Sequence, residues 1–185
     1  MLLNFDIDKA IAATAYIIER DGGRSDMFPL IKKIYLADRS ALIKWGKSIT
    51  GDSFAALEKG PIVSNIYNLM KQEGEESEQI QWDNVIQKKK PYWIVLRKCA
   101  ESGVLSEQEK EVLEEARNTI NAIRGSIPKW VHKNCPEWTD PGHSSTPIDP
   151  STILRLANKS EEEIQRLEET NEELRFLSRL LATRD

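Results

Sequence analysis

Apolar residues recur at helical spacing in a series of stretches, each fenced by its own cap or breaker. That pattern restricts the chain to short helices folded against one another. Ile7, Ile11, Thr14, Ala15 and Ile18 mark a helix reaching about Arg20, with Asp6 or Asp8 as its N-cap and Asp21-Gly22-Gly23 as its stop. A second helix runs from about Asp26 to Lys44; Pro29 is tolerated in its first turn, and Phe28, Ile31, Ile34, Tyr35 and Leu42 form its buried side. Ser64 to Met70 reads as a further helix, closing in the acidic Gln72–Gln79 loop. Ser106 and Glu109 form a capping-box pair that opens a helix to about Ile123. Asp149-Pro150 is an N-cap with proline at the first helical position, opening a short helix near Ile153–Leu156.

Strand signals are few. Ser53–Leu57 reads as a short strand ended by Gly60-Pro61, which then starts the next helix, and Tyr92-Trp93-Ile94-Val95-Leu96 is a β-type run behind Pro91. Four of the eight prolines crowd into residues 136–150, which predicts an irregular loop. The expected fold class is mainly α (α+β): a compact helical domain with a small two-stranded β element and a C-terminal helix. Residues 1–158 make the domain and residues 159–185 the amphipathic helix.

Composition enters as exclusion. No stretch approaches the ~20 apolar residues of a membrane span. Cys99 and Cys135 are too few for a disulfide framework and fit a reducing compartment. Met1–Asp6 carries neither a basic nor a long apolar region, so no export signal is expected and the location predicted is cytoplasmic. The whole net charge of −4 sits in residues 160–185, where eight acidic side chains meet four arginines and leave the first 159 residues neutral. Nucleic-acid binding needs a basic surplus to displace counterions, and only a local patch at Lys88, Lys89 and Lys90 offers one.

The central block runs Lys33-Ile34-Tyr35-Leu36-Ala37-Asp38, then Gly46 through Val63 with Ile49-Thr50-Gly51-Asp52 and Lys59-Gly60-Pro61-Ile62-Val63, then Ile66-Tyr67. Downstream stand Leu105-Ser106-Glu107-Gln108-Glu109 and the element from His132 to Trp138. In this order the pieces resemble the Panacea domain of SocA-like antitoxins, found also in phage-associated GepA-like proteins, over roughly residues 7–158. Ile62 replaces the family's valine after Gly60-Pro61, and Val131 stands where Ser or Thr usually precedes the histidine. The resemblance implies an α-rich domain that neutralises a cognate protein toxin, usually by binding it directly. Its alternative is a proteolytic adaptor that delivers the toxin to an ATP-dependent protease.

Chemistry-bearing residues fit no catalytic or cofactor pattern. Cys99, His132, Cys135 and His143 would make a Cys₂His₂ set, but no CxxC or HxxxH pair is present, so no metal is expected. His132 and Cys135 lack an orienting third group, and Gly46-Lys47-Ser48 lacks the upstream glycine of a phosphate loop. Asp38 and Asp52 read as partners of Lys47 or Arg39 or as loop caps; an enzyme would need them to converge with His132 in one pocket. Tyr35 and Tyr67 read as core tyrosines or as partner-facing ones. The candidate partner-binding set is Tyr35, Asp38, Asp52, Lys59, Tyr67, His132, Trp138, Leu167 and Leu174; catalytic residues and cofactors are none.

Ser160 with Glu163 is a second capping box, and Ile164, Leu167, Asn171, Leu174, Ser178 and Leu181 fall at a and d positions behind it. A helix of this length is marginal alone, so its apolar face must pack on something. Residues 1–158, a second copy of the chain and the toxin are the three expected partners, and neutralisation is expected to suffer more than folding if Leu167 and Leu174 become aspartate.

Overall fold

The computed structural model of the protein describes residues 3–99 and 103–182, and within residues 174–182 only the Phe176 side chain. Among them eight helices and six strands run in the order α1 (Ile7–Arg20), β1 (Arg24–Asp26), α2 (Met27–Trp45), β2 (Phe54–Leu57), β3 (Gly60–Val63), α3 (Ser64–Lys71), α4 (Glu76–Val85), β4 (Ile86–Lys89), β5 (Trp93–Leu96), α5 (Glu107–Asn121), α6 (Ile127–Asn134), β6 (Thr146–Ile148), α7 (Pro150–Leu156) and α8 (Glu161–Ala182). The class is mainly α with some β, as the periodicity predicts. No described helix is long and apolar enough to cross a membrane.

The β content corrects the expected two-stranded element. There are two three-stranded antiparallel sheets, ordered β1-β5-β4 and β3-β2-β6. β6 lies inside the proline-rich stretch expected to be irregular, with Pro147 opposite Ala55. Gly60-Pro61 does not end a strand and start a helix: it opens the returning strand β3, with Pro61 opposite Ala56, and the helix waits until Ser64. Both prolines sit on edge strands, where a missing donor is tolerated. α4 starts inside the expected Gln72–Gln79 loop and continues to Val85; Trp82 is its one buried side chain, so it shows no apolar periodicity.

α2 is the axis of the core. Every residue from Leu30 to Asp38 is buried, and the helix packs against α1, α5, α7 and β3. Asp26 caps its start by accepting from Phe28 N at 2.9 Å, and Gly46 ends it in the left-handed region at φ 73°. Phe28, expected on the buried side, is half-buried and faces a groove. Lys33 escapes the cost of an unpaired buried charge by donating to Asp21 at 2.6 Å, where Arg117 Nε (2.8 Å) and Ser25 Oγ (2.9 Å) also donate. Burial pushes the Asp21 carboxyl up, but these bonds outweigh it and hold its pKa below the ordinary value.

The expected caps form. Asp6 accepts from Lys9 N at 3.0 Å, Ser106 and Glu109 exchange both capping-box bonds, and Asp149 accepts from Ser151 N with Pro150 at the helix start. Ser160 and Glu163 do the same for α8 at 2.9 and 3.2 Å. The first turns of α8 dock on the rest of the chain. Ile164 is buried, Leu167 packs against the core, and Asn171 Nδ2 donates to the Gly46 carbonyl at 3.3 Å. The side chain of Leu174 lies outside the described residues, as do those of Ser178 and Leu181.

Candidate functional site

Two buried carboxylates build the loop between α2 and β2. Asp38 accepts from Ile49 N and Thr50 N, both at 3.0 Å, and from the Thr50 hydroxyl. Asp52 accepts from Asn65 N and Ile66 N at 2.9 Å, so it caps α3 from a distance in a helix whose own N-cap, Val63, offers no side-chain bond. Burial drives both pKa values up, to about 7 for Asp38 and about 6 for Asp52. Neither pairs with Lys47 or Arg39; the loop-cap reading is the one realised.

Arg39 turns instead to Glu137, giving Nε at 2.6 Å and Nη2 at 3.1 Å, and the Tyr35 hydroxyl donates to the same carboxylate. This triad clamps the segment after α6 onto α2. The neighbouring Cys135 thiol is pushed up to about 12 by burial and by Glu137, which leaves it protonated and unreactive. His132 lies flat on Trp138, ring centroids 3.6 Å apart, and Trp138 Nε1 donates to the Leu57 carbonyl at 2.8 Å. The same segment presses on β3: a β-carbon at Gly60, where φ is 100°, would stand 2.5 Å from Val131 Cγ2. Both that contact and the positive φ call for glycine here.

These clamps shape a groove of about 680 Å³ between α2, the β2–β3 turn, Tyr92 and residues 142–144. Phe28, Ile31, Ile62 and Tyr67 are among its apolar walls, and Lys59 and His143 also line it. Lys32 lies in its floor at 1% exposure, with Nζ donating to the Pro61 carbonyl at 2.7 Å and standing 5.4 Å from the Phe28 ring centroid. Burial pulls its pKa down to about 7.

Of the residues singled out from sequence, Lys59 and Tyr67 line this groove. Tyr35, Asp38 and Asp52 are buried and bonded within the chain, away from the groove's lining. His132 and Trp138 form a half-buried stack outside the groove's lining, and Leu167 packs at Gly46 instead. Asp38, Asp52 and His132 do not share the groove. Among the described residues no group of three His, Cys, Asp or Glu side chains is placed to hold a metal ion.

Sequence reasoning missed Lys32, Glu137 and Tyr92. The signal for Lys32 was present: it falls four residues after Phe28 and three before Tyr35, on the apolar side of the helix. Glu137 carried none, since its partners Tyr35 and Arg39 lie about a hundred residues upstream.

No curated protein and no solved structure gives a significant match to the chain. A family model does, over residues 30–139, the span from the start of the buried run in α2 to the residue after Trp138. That match takes in Lys32, the Asp38 and Asp52 caps, Gly60, the Glu137 clamp and the His132–Trp138 stack, and it covers more than half of the chain, which therefore belongs to the family of SocA-like antitoxins with a Panacea domain.

Proposed function

We propose that this protein is a non-catalytic antitoxin that neutralises a cognate protein toxin by binding it directly in the cytoplasm. The observation that carries the reading is the family match across residues 30–139, the segment whose clamps create the groove. Chemistry supports it in a second way. The buried cysteine is an unactivated thiol, and the two buried aspartates are spent on backbone amides. In this reading residues 1–158 form the binding domain, and the docked part of α8 braces it. The domain's fold leaves the toxin's identity open, because one scaffold hosts many partners.

Co-expression with the product of the adjacent gene tests this. Rescue of growth together with co-purification of a stable complex is expected. Rescue without any complex and with unchanged toxin levels overturns direct binding, and toxin that disappears only when a protease is present replaces it with delivery for degradation.

A further inference from the structure

A buried lysine is stable only when paired or neutral, and among the described residues Lys32 has no carboxylate partner. Its ammonium has three N–H donors, and the Pro61 carbonyl occupies one. The groove above it is apolar on its walls. Glu58 and Lys59 offset each other at the rim, and Tyr92 projects from a hairpin in which residues 86–98 hold five cations and no acidic side chain. Tyr92 is 68% exposed, an aromatic surface held out beside an apolar trough.

We infer that this groove is the toxin-binding surface, and that its occupant is a toxin segment carrying a carboxylate between apolar side chains, the carboxylate directed at Lys32 and the apolar side chains at Phe28, Ile31, Ile62, Tyr67 and Tyr92. The inference rests on the antitoxin reading and names the surface and partner chemistry for it. An acidic group supplies the counter-charge the fold withholds from Lys32, while a purely apolar segment would leave the ammonium unpaired under it. An open trough with an exposed aromatic rim suits a chain segment. Lys88, Lys89 and Lys90, on the same hairpin as Tyr92, form a local basic patch that favours approach of an acidic segment.

The test uses the full chain and the tagged protein encoded by the adjacent gene, with affinity and thermal melting measured together. Lys32→Met removes the unpaired charge at similar volume, so it is expected to raise the melting temperature while weakening binding at least about tenfold. Lys59→Glu combined with Tyr92→Asp alters only exposed side chains; an unchanged melt with a similar loss of affinity is expected. Wild-type binding should also weaken as salt is raised. If the wild-type chain fails to bind the adjacent product, the antitoxin reading itself falls. Wild-type binding that the Lys59→Glu/Tyr92→Asp variant retains within about twofold overturns the groove assignment alone, whatever Lys32→Met does to folding.

Discussion

Leu167 lies on the side of Gly46 from which a β-carbon would project: one built there would stand 2.1 Å from Leu167 Cδ2. Asn171 fastens the same junction by donating to the Gly46 carbonyl. The end of α2 and the start of α8 are thus fitted to each other across more than a hundred residues, and the left-handed φ of 73° at Gly46 adds a second demand for glycine.

Gly46→Ala is therefore expected to destabilise the fold. The backbone conformation alone costs about 1–2 kcal/mol, and each kcal/mol lowers the melting temperature of a chain this size by roughly 2–4 °C. Leu167→Asp should lower it as well, because the side chain is seated against the core. A Leu167→Asp protein with a wild-type melt and lost toxin binding would move this contact from folding to recognition.

The triad of Tyr35, Arg39 and Glu137 predicts an asymmetry between its members. Glu137→Ala leaves a guanidinium and a buried hydroxyl without their acceptor and should cost about 3–5 kcal/mol in urea unfolding. Tyr35→Phe removes one donor and leaves the Arg39–Glu137 pair intact, so it should cost about 0.5–1.5 kcal/mol. Equal costs would show that the three do not act as one clamp.

Asp52 predicts a local effect. Asp52→Ala removes the acceptor for the Asn65 and Ile66 amides and should cost about 0.5–2 kcal/mol, as loss of a helix cap does. Amide exchange at Asn65 and Ile66 should quicken more than at Leu69 or Met70, which lie deeper in α3. Uniform quickening along the helix would refute the capping role.

The pH profile should have a minimum near neutrality. Asp38 and Asp52 have folded pKa values of about 7 and about 6 against an ordinary 3.8. Between those limits the folded state keeps protons that the unfolded chain has lost, so stability falls as pH rises from about 4 to 7. Lys32 works in the opposite sense: its folded pKa of about 7 lies below the ordinary 10.5, the unfolded chain binds the extra proton, and stability rises with pH above 7. Cys135, raised from 9.0 to about 12, opposes that rise above pH 9. Melting from pH 4.5 to 9 should trace this shape, with Asp38→Asn flattening the acid limb and Lys32→Met the alkaline one. A single maximum at pH 7 in the wild type would contradict both assignments.

Helix starts were legible because a cap is a local event. Asp6, Ser106, Asp149 and Ser160 each bond an amide two or three residues away, and their sequence neighbours announce it. The partners of Asp38, Asp52 and Glu137 were not legible, because a carboxylate names no distant donor. Tyr35 and Asp38 stood out in the sequence and proved to be internal supports, while Tyr92, singled out only as part of a β-type run, forms an exposed wall of the groove.

By itself the sequence determined the helical class, the order of the longer helices, the caps at Asp6, Ser106, Asp149 and Ser160, and the family block. Each of those is written in spacing along the chain, where propensity and local hydrogen bonds act within a few residues. Only the tertiary structure decided that the β content makes two three-stranded sheets, that α8 closes on Gly46, and that Lys32 is left without a counter-charge among the described residues, beneath an apolar groove. Strand partners and buried ion pairs join residues far apart in the chain, and their free energy exists only once packing has excluded water between them.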